Sequence, residues 1–388
     1  MASKYETTAL VLQGGGALGA YQAGVYEGLC EGGIDISFIA GISVGALNTA
    51  IIAGNAPKDR VAKLHEFWNT ICQPYLGVPV NPLFEQSLFR LNDMARETLN
   101  TLHAGSAMFI GQKGFFRPRI PPAALLTTSN PATASHYDIQ PLKATLERLC
   151  DFDRINQGDM HVTVGAVNVR TGNFAYFDNR RTRLHPEHFM ASGALPPAFP
   201  PVEIDGEYYW DGGLVSNTPL AQILAARPEC DTLVFQVDLW SARGPVPHNI
   251  GEVSDRMQEI RYSSRTRMVT EQMRARRKTQ RMLQEVLKKV PAKVRAEDPL
   301  CRRAAQIASS KRYNIIHLIY RDKPYEQHYR DFQFGPTTMH DHWSSGLHDI
   351  RHTLAHKEYL AMPDNAEGFV THDVHRDEIE QTMHPEKS

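Results

Sequence analysis

The chain has 388 residues, 42% of them hydrophobic, and a formal net charge of -1. That length supports a large core and more than one structural unit, and the near-neutral balance argues against nucleic acid as a partner. Five cysteines (Cys30, Cys72, Cys150, Cys230, Cys301) lie far apart with no C-x-x-C, which excludes a disulfide scaffold and points to a reducing compartment. The opening "MASKYETT" lacks the basic and apolar segments of a signal peptide. The most apolar long stretch, residues 38–54, is too short and too interrupted by Gly, Ser and Asn to span a membrane. A cytoplasmic protein is expected.

Taken in chain order, residues 9–13 read as a buried strand ended by glycine. Residues 19–31 read as a helix with Ala20, Ala23, Val25 and Leu29 among its apolar positions. Phe38 to Ala40 form a second short strand, and a helix starts near Ser43. This alternation predicts a parallel α/β sheet. Further strands are expected at 161–169, 174–177, 207–210 and 232–240, with a long Pro-, Ala-, Thr- and Ser-rich loop over 115–137. After Trp240 the composition changes. Residues 255–295 are helical in pattern, and from Arg261 to Arg295 twelve Lys or Arg face only Glu271 and Glu285. A strand follows at 315–320 and a helix at 340–358. The last 25 residues are polar and acidic, as in a loose tail. No internal repeat is present.

Gly14, Gly16 and Gly19 spell G-x-G-x-x-G, a dinucleotide-loop pattern. A dinucleotide site needs an acid at the end of the second strand, and Asp35 precedes that strand. What stands at the strand's end is "GISVG", residues 41–45, a G-x-S-x-G turn that presents the Ser43 hydroxyl at a helix N-terminus. Gly41 and Gly45 remove side chains where the turn is tight. Successive strand ends of a parallel sheet lie side by side, so the glycine loop falls next to Ser43 and its N–H groups can hold a developing oxyanion. A serine nucleophile needs a base. Ser43 comes too early in the chain for an α/β-hydrolase triad. Asp211, which directly follows a strand and precedes Gly212 and Gly213, is a carboxylate that partial burial could bring into use.

"GGGALG", "GISVG" and "DGG" in this order resemble the patatin-like phospholipases, and "SGALPPAFPPV" (192–202) is similar to the same family. The resemblance covers about residues 8–240. It implies a three-layer α/β/α fold with a mainly parallel sheet, Ser43 as nucleophile, Asp211 as base, and Gly14, Gly15 and Gly16 lining the oxyanion hole. Leu18 stands where many members carry Arg or Lys, which leaves the backbone donors. The stretch 331–354 is similar to an extension found on a bacterial branch of the family, of no assigned role. The expected organisation is an acyl-hydrolase domain over 8–240, a basic and mostly helical extension over 241–362, and a flexible tail over 363–388.

These residues read as a serine acyl-ester hydrolase with no cofactor and no metal, and the resemblance implies lipid substrates, of phospholipase A or lysophospholipase type. The competing readings are a nucleotide-binding enzyme, a carboxylesterase on other esters, and a catalytically silent lipid-binding or scaffold module. His348, His352 and His356 recur on one helix face near His340 and His342, but no Cys or carboxylate pair joins them, so a packed or solvated face is expected. Asn217 reads as the cap of the next helix. The basic stretch, with apolar Val269, Met273, Met282, Val286 and Val290, is either a docked helix or a contact with anionic membrane. The apolar run 115–126 flanks an acyl entrance or covers the core.

Overall fold

In the computed structural model, which describes residues 5–72, 103–122, 130–226, 229–263, 266–321, 330–364 and 368–373, the first strand lies inside a nine-stranded sheet. The strands are β1 (Thr7–Leu12), β2 (Phe38–Gly41), β3 (His161–Asn168), β4 (Phe174–Asp178), β5 (Val202–Ile204), β6 (Glu207–Asp211), β7 (Thr232–Asp238), β8 (Tyr313–Ile319) and β9 (Phe369–Asp373). Their order is β9-β8-β7-β1-β2-β3-β6-β5, with β4 also paired to β3. Neighbours from β9 to β3 are parallel, and β4, β5 and β6 pair antiparallel. The helices are α1 (Gly19–Glu31), α2 (Val44–Ala53), α3 (Arg60–Ile71), α4 (Gln140–Leu149), α5 (Phe152–Gln157), α6 (Pro186–Ser192), α7 (Leu220–Ala225), α8 (Ile250–Tyr262), α9 (Thr266–Lys289), α10 (Ala292–Glu297), α11 (Pro299–Ile307) and α12 (Pro336–Ala355).

Side chains on a strand alternate between its faces. Leu10 and Leu12 of β1 enter a core shared with α1, α2, α3 and α12. Ala9 and Val11 pack with Leu220, Ile223 and Leu224 of α7, against which Val269 and Met273 of α9 also lie. Helices therefore cover both faces of the sheet, giving the three-layer α/β/α arrangement.

Sheet pairing runs across the expected boundary at 240. All seven residues of β7 are buried, so this strand needs neighbours on both edges. It finds β1 on one side and β8, from beyond the boundary, on the other. The stretch from 363, expected to be a loose tail, contributes β9 to the sheet edge. With a single neighbouring strand, β9 needs little apolar alternation, and only Phe369 of its five residues is buried. Residues 374–388 lie outside the described residues, as does 123–129 of the expected 115–137 loop. The described ends of that loop are joined by a short antiparallel pair, Arg117–Pro118 with Tyr137–Asp138.

The basic stretch is α9 and its flanks. Its inner side is fixed by Arg277, fully buried, which pairs with Glu229 at 2.6 Å and lies 4.0 Å over the Tyr313 ring. Leu287 is buried as well, while Met282 and Val286 are exposed. On α12 the histidines do not converge. His342 is buried against Tyr320, and His352 lies against His356. Among the described residues no three His, Cys, Asp or Glu gather where they could hold a metal ion, and no helix is long and apolar enough to cross a membrane.

Helices α1 and α12 meet backbone to backbone. A Cβ on Gly24 would fall 2.0 Å from the Trp343 carbonyl oxygen, and one on Gly346 would fall 2.0 Å from that of Tyr21. Tyr21 Oη donates to Asp349 Oδ2 at 2.7 Å, and the Trp343 indole N–H donates to Glu27. Overpacking of such a contact costs typically about 1–3 kcal/mol. Gly346→Val should therefore lower the melting temperature of the whole chain in one transition, measured by circular dichroism. Gly105→Ala, a helical glycine with nothing within 4 Å of its Cβ position, should leave the transition unchanged or raise it slightly. Separate melting of residues before and after 240 would contradict this packing.

Candidate active site

Parallel pairing sets the site. Leu12 at the end of β1 is partnered with Gly41 at the end of β2, so the loops that follow them emerge side by side. Strand β2 stops there, but β3 runs on. Gly41 pairs with Val164, and two residues further Ala166 pairs with Asp211. Strand β6 thus continues the sheet beyond the end of β2 and delivers Asp211 to the turn that carries Ser43.

The turn itself is crowded. A Cβ on Gly41 would fall 2.3 Å from the Gly45 carbonyl oxygen, and one on Gly45 would fall 2.3 Å from that of Leu12. Ser43 is held at φ 55 and ψ -127, a left-handed conformation costly for a residue with a side chain. Surrounding bonds enforce it. Ser43 N–H donates to both the carbonyl oxygen and the hydroxyl of Ser192 at 3.1 Å, and the Ser192 hydroxyl donates to Gly165 O at 2.6 Å. Asp211 N–H donates to Ala194 O at 3.0 Å. The stretch 192–202 therefore grips both Ser43 and Asp211 by their backbones.

The Asp211 carboxyl is buried, accepts the Gly213 N–H at 2.7 Å, and is hydrogen-bonded by the Ser43 hydroxyl. Burial pushes its pKa up to about 7, although those two hydrogen bonds act in the opposite direction. Gly212 has to be small because a Cβ there would fall 2.7 Å from Gly165 O.

In the glycine loop, Gly14 is pinned on both sides. Its N–H donates to Asn217 O at 3.3 Å, and its carbonyl accepts from Asn217 Nδ2 and Trp240 Nε1, each at 2.9 Å. The Gly14–Gly15 peptide is trans, so its N–H points opposite to its C=O. Fixing the Gly14 carbonyl therefore fixes the direction of the Gly15 N–H. The N–H groups of Gly15 and Gly16 have no acceptor among the described residues. Gly14, expected as a third donor, differs, because its N–H is already given to Asn217. Gly16 has φ 55 and packs against the Asp331 backbone. Gly19 opens α1 against Val44, and Leu18 is buried in the core.

Gly14, Gly15, Gly16, Ser43 and Asp211 all line one pocket that opens to solvent. Its walls are apolar, with Leu47, Phe115, Phe116, Leu195, Phe199, Trp240, Tyr262 and Phe334. No histidine lines it among the described residues. The arrangement can pass a hydroxyl proton to a carboxylate, receive negative charge on free N–H groups, and accommodate an acyl chain.

Several participants were not evident in the sequence. Asn217 was expected to cap a helix, but the residue before α7 is Pro219, and the Asn217 amide instead donates to Gly14 O and Tyr262 O. Gln13 accepts the N–H groups of Leu239 and Trp240 and donates to Thr218 and Tyr262 O. Asp331 lines the cavity with a buried Oδ1 that has no hydrogen-bond partner among the described residues, and burial lifts its pKa to about 6. Their partners lie up to hundreds of residues away, beyond any local pattern.

Comparison with known proteins gives two family matches. A Patatin-like phospholipase family matches residues 10–224, and a Patatin phospholipase family matches residues 260–366. The chain is 24% identical over 245 residues to Lysophospholipase NTE1 of Yarrowia lipolytica, which covers 63% of this chain and only 13% of that protein. VipD from Legionella pneumophila matches at 14% identity and TM-score 0.39, covering 98% of this chain and 74% of VipD. The ExoU–SpcU complex of Pseudomonas aeruginosa matches at 18% identity and TM-score 0.30, covering 79% and 66%.

The raised pKa of Asp211 has a consequence for stability. Between about pH 4, the unfolded value, and about pH 7 the folded chain keeps a proton that the unfolded chain has released. Stability from this group is therefore greatest at the low end and falls as pH rises across that window. Asp211→Asn should melt a few degrees above the wild type at pH 8, and the difference should close toward pH 4.5. Equal melting temperatures at pH 8 would show that Asp211 ionises at its ordinary value.

Proposed function

The chain belongs to the patatin-like phospholipase family, and from that premise we propose that it hydrolyses acyl esters of lipids, as a phospholipase A or lysophospholipase, through an acyl-enzyme. The carrying observation is the Ser43 hydroxyl, held on a strained turn and hydrogen-bonded to the buried Asp211 carboxyl, at the polar end of an apolar cavity. The likeness to a protein named a lysophospholipase supports the substrate class. The five cysteines form no disulfide among the described residues, which supports a cytoplasmic setting.

In this reading Ser43 Oγ attacks the ester carbonyl carbon while its proton passes to Asp211. The carbonyl oxygen becomes an oxyanion held by the N–H groups of Gly15 and Gly16. As the carbon–oxygen bond to the alcohol breaks, Asp211 returns the proton to the leaving oxygen. A water molecule then attacks the acyl-serine, giving its proton to Asp211, and as the carbon–Oγ bond breaks Asp211 passes that proton to Ser43 Oγ, so that the fatty acid leaves with the Ser43 hydroxyl and the Asp211 carboxylate restored. A carboxylate near pKa 7 suits both directions of transfer. Asn217 and Trp240 act on the donors indirectly, by setting the plane of the Gly14–Gly15 peptide.

Ser43→Ala should abolish turnover of p-nitrophenyl butyrate and labelling by a fluorophosphonate, and Asp211→Asn should be nearly as damaging, with the double variant little worse. Groups acting as one unit are strongly non-additive. The wild-type rate should rise with pH through about 7 as Asp211 ionises. Near-normal turnover by Ser43→Ala would refute the assignment.

Trp240→Phe keeps the ring and removes the indole N–H that holds the Gly14 carbonyl. Misdirected oxyanion donors typically cost on the order of ten- to a hundredfold in rate. The expected result is a drop of that size in kcat with KM little changed, and an equal slowing of fluorophosphonate labelling. A change in KM alone would assign Trp240 to substrate binding.

A further inference from the structure

Helix α8 has two unlike faces. Inward, Arg256 and Arg330 both pair with Glu259 at 2.6 Å, Arg330 lies 5.0 Å over the Trp240 ring, and Tyr262 lines the cavity. Outward, Ile250, Val253, Met257 and Ile260 follow one another at intervals of three, four and three residues, so they form a stripe. All four are between 45% and 84% exposed. The same pattern recurs on the other cavity segments. Phe115 and Phe116 form cavity wall, while Phe109 and Ile120 of the same segment are 84% and 94% exposed. Val215, four residues after Asp211, is also exposed. Large apolar side chains thus face solvent on the segments that line the cavity.

We propose that the outer stripe of α8, together with Phe109 and Ile120, inserts into the apolar region of a lipid leaflet and so docks the cavity against its source of acyl chains. This rests on reading the cavity as a lipid-ester site. The occupant follows from continuity and charge. The exposed apolar side chains lie on the same segments, α8 and 109–120, that give Tyr262, Phe115 and Phe116 to the cavity wall, and a substrate carrying an acyl chain resides in lipid. Along α8 the charges nearly balance, Glu252, Asp255 and Glu259 against Arg256 and Arg261, so insertion of apolar side chains, rather than attraction to anionic lipid, is the contact. It does not require the basic helix α9, whose Arg277 is committed to Glu229.

The test uses the full chain and vesicles of pure phosphatidylcholine. Wild type should co-sediment with them, and raising salt from about 0.1 to 0.5 M should leave binding unchanged, because screening acts only on charge. The double variant Ile250→Glu with Met257→Glu should bind at least about tenfold more weakly, hydrolyse vesicle phospholipid correspondingly slowly, and turn over p-nitrophenyl butyrate like the wild type. Met257→Trp should be quenched by phosphatidylcholine with brominated acyl chains, and Leu300→Trp, at an exposed apolar position on α11, should not. The docking proposal is overturned if wild type binds only anionic vesicles and is released by salt, or if the double variant binds as well as wild type. It is equally overturned if wild type is a dimer that the double variant converts to monomer with vesicle binding intact. Loss of soluble-ester turnover and fluorophosphonate labelling in the wild type would instead count against the hydrolase reading, whatever the vesicles show.

Discussion

The glycine loop and the serine turn approach each other so closely that only a hydrogen atom fits at Gly14. A methyl group there would fall 2.4 Å from Asn217 Oδ1 and 2.9 Å from Ser43 Cβ. The approach follows from parallel pairing of β1 and β2, whose ends stand one strand spacing apart, about 4.8 Å. At that distance backbone groups, rather than side chains, line the approach, because side chains would hold the loops apart. Everything around the cavity can be understood as fixing backbone groups. Ser192 holds the Ser43 amide, Ala194 holds that of Asp211, and Asn217 and Trp240 hold the Gly14 peptide.

Such a site is unfavourable to build. It contains a non-glycine residue at positive φ, a carboxyl with little solvent, and N–H groups that have no acceptor among the described residues, each of which opposes folding. The surrounding structure has to over-determine them. Part of that support comes from beyond residue 240. Tyr262 O receives Gln13 and Asn217, Asp331 packs on Gly16, and Arg330 covers Trp240. The extension also completes the sheet with β8 and β9 and binds α1 through α12. Support for the glycine loop and closure of the sheet are thus supplied by the same part of the chain.

Charge and apolarity are divided between adjacent helices. Helix α9 carries the positive residues and spends its buried arginine on a structural ion pair. Helix α8 is nearly balanced in charge and turns its apolar stripe outward. A count of charges along the chain draws attention to α9, whereas the contacts draw it to α8.

The sequence by itself determined what local backbone chemistry demands. Gly41 and Gly45 around Ser43, Gly212 and Gly213 after Asp211, and the strand–loop–helix order were legible because a tight turn restricts residue type on the spot. The β-branched and aromatic residues Val234, Phe235 and Val237 of β7, beside Leu233, likewise announced a strand. Only the tertiary structure decided what depends on distant partners. Asn217 looked like a helix cap until Gly14, 203 residues away, proved to be its acceptor. The 3-4-3 spacing of α8 is present in the sequence, but spacing tells that a face exists and not which way it points. The five residues of β9 carry too little pattern to announce a strand, since an edge strand with one neighbour can stay polar on most of its surface. The Asp211 pKa, too, was decided by the fold, because burial is a property of everything packed around a residue and of no residue alone.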